Sequence, residues 1–193
     1  MCIATLISCS DENEVKIYKL AKDSSSPENT FHHQPPLEKM KLPANVGNSH
    51  SISWTTPPEW EEQPAHGMRS GSFLAKGKDE LSIDISAIFL GGAAGGDLPN
   101  VNRWREQISL PPWTFDEFLN NQVMIDTPLG KAKIVDFSSE EKLNQGEHHT
   151  RIVAAILPYQ GGTWFFKMTG EKTLMEVQKP IFQKFLEAVQ AAQ

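Results

Sequence analysis

The chain has 193 residues, 39% hydrophobic and 22% charged, the size and make-up of one ordinary globular domain with an extension. Its formal net charge of −6 has the wrong sign for a nucleic-acid-binding domain, which holds phosphate through a basic excess, so no nucleic acid is expected as a partner. No run reaches the roughly 18 apolar residues of a membrane-spanning helix. Both cysteines, Cys2 and Cys9, precede residue 10, which leaves no downstream thiol for a disulfide framework, a zinc site or a nucleophile.

The first residues read "MCIATLISCSDENE": an apolar run ends at Leu6-Ile7-Ser8-Cys9 and gives way to polar, acidic sequence. This stretch resembles a bacterial lipoprotein signal, although it lacks the basic leader such signals carry. The resemblance implies a lipid on Cys9, an envelope address on the periplasmic side and 1–9 as a signal remnant. The competing reading is an N-terminal strand with two inert cysteines in a cytoplasmic protein. Residues 10–48 are rich in Ser, Pro, Glu, Asn, His and Lys and cannot bury enough apolar surface to offset ordering entropy. They are expected to form a partly disordered tether with a mean reach on the order of 35 Å. Val15–Leu20 is its one apolar patch, with Ile17 and Tyr18 available to an edge strand or a partner. A single domain is expected over 49–193.

Within that domain "SISWTTPPEW" reads as a short strand ended by Pro57-Pro58, with Trp54 and Trp60 on either side of a turn. Met68–Ala75 and Glu80–Leu90 read as a hairpin. In the second strand Leu81, Ile83, Ile85, Ala87 and Phe89 alternate with Ser82, Asp84 and Ser86, the period of a half-buried strand.

Four glycines then occupy six positions, Gly91 to Gly96, ahead of a helix predicted from Pro99 to about Ile108. Proline suits a first helical turn, where its missing N–H costs little. A second helix begins at Thr114, with Glu117 completing a capping box. Gln122–Asp126 and Lys131–Ser138 form a hairpin around Pro128-Leu129-Gly130. Thr150–Leu157 is apolar throughout from Ile152, as a central strand requires, and turns at Gln160-Gly161-Gly162 into "TWFFKM".

The closing helix places Leu174, Val177, Ile181, Phe182, Phe185, Leu186 and Val189 on one face, which predicts its burial. Thr173 and Glu176 are spaced as a capping box, and Pro180 is expected to kink or split the helix. Strands joined by short turns and interrupted by helices specify an α+β domain, a mainly antiparallel sheet flanked by helices.

Three stretches, "WTTPPEWEEQPAHGMRSGSF", "GGAAGGDLPNVNRWREQISLPP" and "WFFKMTGEKTLMEVQKPIFQKFLEAV", resemble a group of uncharacterised bacterial lipoproteins and exported proteins over roughly residues 50–190. More distantly, the Trp-Pro opening and the "WFFKMTG" ending resemble the PsbP-like fold. That fold is shared by an extrinsic subunit of the photosynthetic oxygen-evolving complex and by a nuclear-import factor that binds a Ran GTPase. The resemblance implies an α/β sandwich whose role is binding or assembly with a protein partner in the cell envelope, without a substrate or cofactor.

The candidate site is the block holding Gly95, Gly96, Asn100, Asn102, Arg103 and Arg105. A glycine loop opening onto a helix can present backbone N–H groups and the positive helix end to an anion. The spacing matches neither a dinucleotide fingerprint nor a phosphate-binding P-loop, and Asp97 adds a negative charge there. The competing reading makes the glycines a corner where the chain leaves the sheet, Asn100 and Asn102 ties for the loop backbone and Trp104 a plug for the core. Arg103 and Arg105, two apart on a helix, point to different faces. A small anionic-ligand receptor or enzyme using the loop and these arginines remains the alternative to a binding module.

No convergent metal set is visible. His148 and His149 would face opposite sides of a strand, His32 and His33 fall in the tether, and His50 and His66 stand alone. There is no nucleophile elbow around Ser70–Phe73, and Glu61-Glu62 and Glu140-Glu141 read as solvated loop charge.

Overall fold

The computed structural model describes residues 52–78, 80–143 and 148–192. The expected signal at Cys9, the tether, the Ile17/Tyr18 patch, His32, His33 and His50 lie outside the described residues. In chain order the elements are β1 (Ile52–Ser53), β2 (Trp60–Glu62), β3 (Arg69–Lys76), β4 (Ser82–Gly91), α1 (Asp97–Gln107), α2 (Phe115–Asn121), β5 (Val123–Thr127), β6 (Gly130–Ser138), β7 (Thr150–Tyr159), β8 (Gly162–Glu171), α3 (Lys172–Glu187) and β9 (Gln190–Ala191).

Strands β2 to β8 form one seven-stranded sheet in the order β2-β3-β4-β8-β7-β6-β5 with every pair antiparallel, and β1 pairs with β9 separately. The fold is therefore α+β, as the alternation of hairpins and helices predicts. Helix α3 packs on one face and α1 with α2 on the other. Strand β7 lies between both layers, so its side chains are buried on both sides. Val153, Ala155 and Leu157 join the α3-side core, while Ile152, Ala154 and Ile156 join the α1/α2-side core.

On the α3 side Trp54 and Trp60 turn inward. Trp54 meets Phe73, Trp164 and Phe185 with ring centroids 6.0–6.3 Å apart, and Trp60 lies 5.1 Å from Phe185. Gly71 is small because Trp54 needs the space: a Cβ there would stand 2.7 Å from the indole. The indole N–H of Trp60 donates to Gln178 Oε1 at 2.8 Å, which lets a glutamine occupy the core face of α3.

Several local expectations change in three dimensions. Helix α1 starts at Asp97 rather than Pro99, with Gly96 as its N-cap. Helix α3 is capped by Glu171, whose carboxylate accepts from the N–H groups of Thr173 and Leu174, and not by a Thr173–Glu176 box. The β7–β8 ladder runs through Glu171, so the chain is still extended there and the helix begins earlier than the box spacing implies. Glu176 pairs instead with Arg151 at 2.5 Å.

Pro180 does not split α3, which runs from Lys172 to Glu187. Val177, expected in the core, is 64% exposed, because the buried row is Met175, Gln178, Phe182, Phe185 and Leu186. Glu61 and Glu62 belong to edge strand β2 rather than a loop, and Glu61 pairs with Lys76 at 2.6 Å. Among the described residues no helix is long and apolar enough to cross a membrane.

Candidate functional site

The glycine block closes the end of the sheet where β4 meets the β7–β8 turn. Gly92 N–H donates to Gly161 O at 2.9 Å, and Gly96 N–H to Ala93 O at 2.8 Å. Gly92, Gly95 and Gly96 have φ of 68°, 78° and 84°, a left-handed backbone that glycine adopts without steric cost. Ala94 shares this conformation at φ 50° and must be held there.

Asn100 holds it. Its side chain is buried and donates from Nδ2 to Ala94 O and Gly96 O, both at 2.7 Å. The corner is thus a loop clamped by an amide from the first turn of the helix it introduces. Asp97, the acid expected to oppose an anion, pairs with Lys133 at 2.5 Å.

Asn102 does not tie the glycine loop. It brackets Trp113, donating from Nδ2 to Trp113 O at 3.0 Å and accepting from Trp113 N at 2.8 Å, and so fastens the connection between α1 and α2. Trp104 is buried and sits edge-on to Phe165 at 5.7 Å, the plug its position predicts.

The two arginines separate. Arg105 is 6% exposed; its Nε donates to Pro111 O at 2.8 Å and its guanidinium lies 4.2 Å from the Trp113 ring centroid. Burial pushes its pKa down from the usual arginine value, partly opposed by the charges of Glu117 and Glu140. Arg103 is exposed and donates from Nη1 to Asn100 Oδ1 at 3.0 Å. It borders an open groove of 510 Å³ lined by Pro99, Asn102, Arg103, Glu106, Leu110 and Pro112. The six residues read from sequence therefore fall into three roles. Gly95, Gly96 and Asn100 build the corner, Asn102 and Arg105 fix the α1–α2 connection, and Arg103 faces outward.

A second polar assembly escaped the sequence reading. Helices α1 and α2 cover β6, β7, β8 and the Leu90 end of β4, and the rest of this face on β3 and β4 carries Ser72, Asp84 and Ser86. Arg69 grips both oxygens of Asp84 at 2.7 Å and reaches Ser72 at 2.9 Å; its hydrogen bond to Asp84 raises its pKa. Lys167 donates to Gln107 Oε1 at 2.9 Å. Burial lowers its pKa, against the charge of Asp84 and together with that of Arg69. The only signal was Asp84 and Ser86 on the polar side of β4; that Lys167 shares this face follows from the β4–β8 register, which places it opposite Ser86.

On the opposite face Arg151 binds Asp136 through two 2.7 Å bonds, and Lys179 reaches the same carboxylate at 2.7 Å, joining α3 to β6 and β7. Burial alone would raise the Asp136 pKa, but the hydrogen bonds from Arg151 and Lys179 bring it below the usual carboxylate value.

His149 Nδ1 lies 3.2 Å from Ser139 O, and His148 is bridged to Leu143 ahead of β7. Among the described residues no three His, Cys, Asp or Glu gather as a metal-binding set.

No family model and no curated protein matches this chain. Among solved structures it is similar to LpqN of Mycobacterium tuberculosis, a protein described as involved in cell envelope biogenesis. The two are 14% identical, with 72% of this chain and 82% of that one covered and a TM-score of 0.46. A protein from Bacteroides thetaiotaomicron is 14% identical, with 74% of this chain and 45% of that one covered, at a TM-score of 0.41. A Pseudomonas aeruginosa protein of unknown function, a putative regulator, is 12% identical, with coverages of 74% and 84% and a TM-score of 0.35. Likenesses at this level assign neither a family nor a function, and they do not place the chain in the lipoprotein group or the PsbP-like fold that its motifs resemble.

Proposed function

We propose that this chain is an envelope-anchored binding module, held by a lipid on Cys9 and touching a protein partner through the outer face of α1 around Arg103. The observation that carries the reading is the unequal use of the two arginines. Arg105 is enclosed by Pro111 and Trp113, whereas Arg103 stands exposed beside an open, partly apolar groove. A guanidinium beside proline and leucine surface is a usual element of protein contact sites, where Arg makes bidentate bonds to a partner carboxylate. The glycine corner is less suited to an anion, since its Gly92 and Gly96 N–H groups already have carbonyl partners. The N-terminal sequence supports the anchor, with residues 10–48 separating Cys9 from the domain.

Two measurements test the reading. Intact mass of the protein from the envelope fraction should show Cys9 as a lipid-modified first residue, and an unmodified mass would remove the anchor. Crosslinking in native membranes should capture a partner with the wild type and lose it with Arg103→Glu. Asn100 is left untouched because its amide holds the loop. Equal capture by both proteins would remove Arg103 from the contact surface.

A further inference from the structure

The seven-stranded sheet ends on two edge strands that are built differently. We propose that β5 is a self-pairing edge, which joins antiparallel to the β5 of a second copy of this chain across a two-fold axis.

Edge strand β2 is three residues long, follows Pro57-Pro58 and shows Glu61 and Glu62 to solvent. Short length, proline and charge are what keep an edge from pairing with another chain. Edge strand β5, Val123–Thr127, has five residues, no proline and one charge, Asp126. It pairs with β6 on one side, and among the described residues it has no strand on the other. Alternate residues therefore direct backbone N–H and C=O groups outward.

The side chains around this edge are apolar as well. Of the six large apolar side chains that stand exposed among the described residues, four are Phe115, Leu119, Val123 and Met124, close together in the chain. Phe115 and Leu119 lie one turn apart on α2, which leads directly into β5. Val123 and Ile125 pair with Ile134 and Ala132, members of the α3-side core, so they face that side and Met124 faces the other. An arriving strand finds apolar surface on both faces.

The strand complements itself. With Met124 on the two-fold axis, Val123 of each copy stands opposite Ile125 of the other, and Gln122 stands opposite Asp126. Apolar then meets apolar, an amide meets a carboxylate and no like charges face each other, the kind of cross-strand pairing that stabilises a ladder. Placing Ile125 on the axis instead would set Met124 against Asp126. Gln122 is prepared to join, because its backbone is already extended at φ −93°, ψ 147°. The Asp126 side chain is 85% accessible beside Lys131, within reach of an amide from outside. Two-fold pairing consumes the β5 edge of both copies, so the assembly closes as a dimer. Even with Phe115 and Leu119 the contact uses fewer residues than the about 20–30 per side of standard complexes, so a weak, concentration-dependent dimer is expected.

Sedimentation equilibrium of the full chain, from about 1 μM to about 1 mM to bracket a weak complex, tests the pairing. Salt of about 0.15 M screens the net charge of −6 per copy beyond about 8 Å. The wild type should pass from monomer to dimer over that range. Met124→Lys sets two ammonium groups face to face on the axis and should weaken the dimer about tenfold or more, with its urea midpoint unchanged because Met124 is on the surface. Disulfide capture in the full chain carrying Cys2→Ser and Cys9→Ser reads the register. Met124→Cys should crosslink on oxidation, since opposed residues of an antiparallel ladder have Cα atoms about 4.5–5.5 Å apart, inside the disulfide range. Thr127→Cys, three positions from the axis and so about 20 Å from its copy, should not. A chain that stays monomeric throughout, a dimer as tight with Met124→Lys as without it, or oxidation that fails to favour Met124→Cys over Thr127→Cys overturns the proposal. The wild-type and capture measurements stand without the lysine variant, so its failure to fold would not rescue the pairing.

Discussion

Asn100→Ala isolates the clamp on the glycine corner. The substitution removes two 2.7 Å bonds donated to Ala94 O and Gly96 O and one accepted from Arg103. Gly96 O keeps the Asn100 backbone N–H, at 3.4 Å, but Ala94 O loses its partner. An orphaned carbonyl costs about 1–3 kcal/mol and the second lost bond about 1 kcal/mol, so a loss of about 2–4 kcal/mol is expected. At about 2 kcal/mol per molar urea the unfolding midpoint should fall by about 1–2 M. Asn100→Asp should be worse, because it points carboxylate oxygens at the same carbonyls from a side chain buried to 4% exposure. Arg103→Ala, on the solvent side of α1, should leave the midpoint in place. Urea unfolding measures all three, and amide exchange at Gly96 and Asn100 reports whether the corner opens first. A wild-type midpoint for Asn100→Ala would refute the clamp, and a destabilised Arg103→Ala would show that the arginine holds the fold after all.

Two further outcomes follow from the buried charges. Arg105→Lys removes the planar group over Trp113 and the Nε bond to Pro111 O, and should cost about 1–2 kcal/mol with a change in tryptophan emission; an unchanged midpoint and spectrum would count against the stacking. Asp136 has a folded pKa below its ordinary value, so the stability it contributes is present above the unfolded pKa and is lost as pH falls through the folded one. Asp136→Asn should cost about 2–3 kcal/mol at neutral pH, less than a fully buried pair because Lys179 is 33% accessible, and should flatten the acid limb of urea stability against pH. Parallel pH curves for the two proteins would contradict that linkage.

Sequence alone determined the elements whose signals are local. Alternation in Ser82–Leu90 specified a strand with one core face, and the apolar run from Ile152 within Thr150–Leu157 specified one covered on both sides. The Thr114–Glu117 box specified the start of α2, where the reciprocal bonds form within one turn. The corner at Gly91–Gly96 was also legible, because positive φ and amide ties follow from residue type.

Tertiary structure decided what depends on remote neighbours. Asn102 meets Trp113 eleven positions away, and Arg105 is consumed by the same segment. Gln178 lies in the core because the Trp60 indole, 118 positions earlier, supplies its hydrogen bond. Periodicity marks an apolar stripe on α3 but not its margins, so Val177 falls outside the area the sheet covers. Lys167 looks like any outward lysine of a strand; only the partial cover of the sheet by α1 makes it a desolvated charge hydrogen-bonded to Gln107. Backbone propensity and hydrophobic period are properties of neighbouring residues, whereas burial and charge pairing are set by whichever distant surfaces the packed layers bring together.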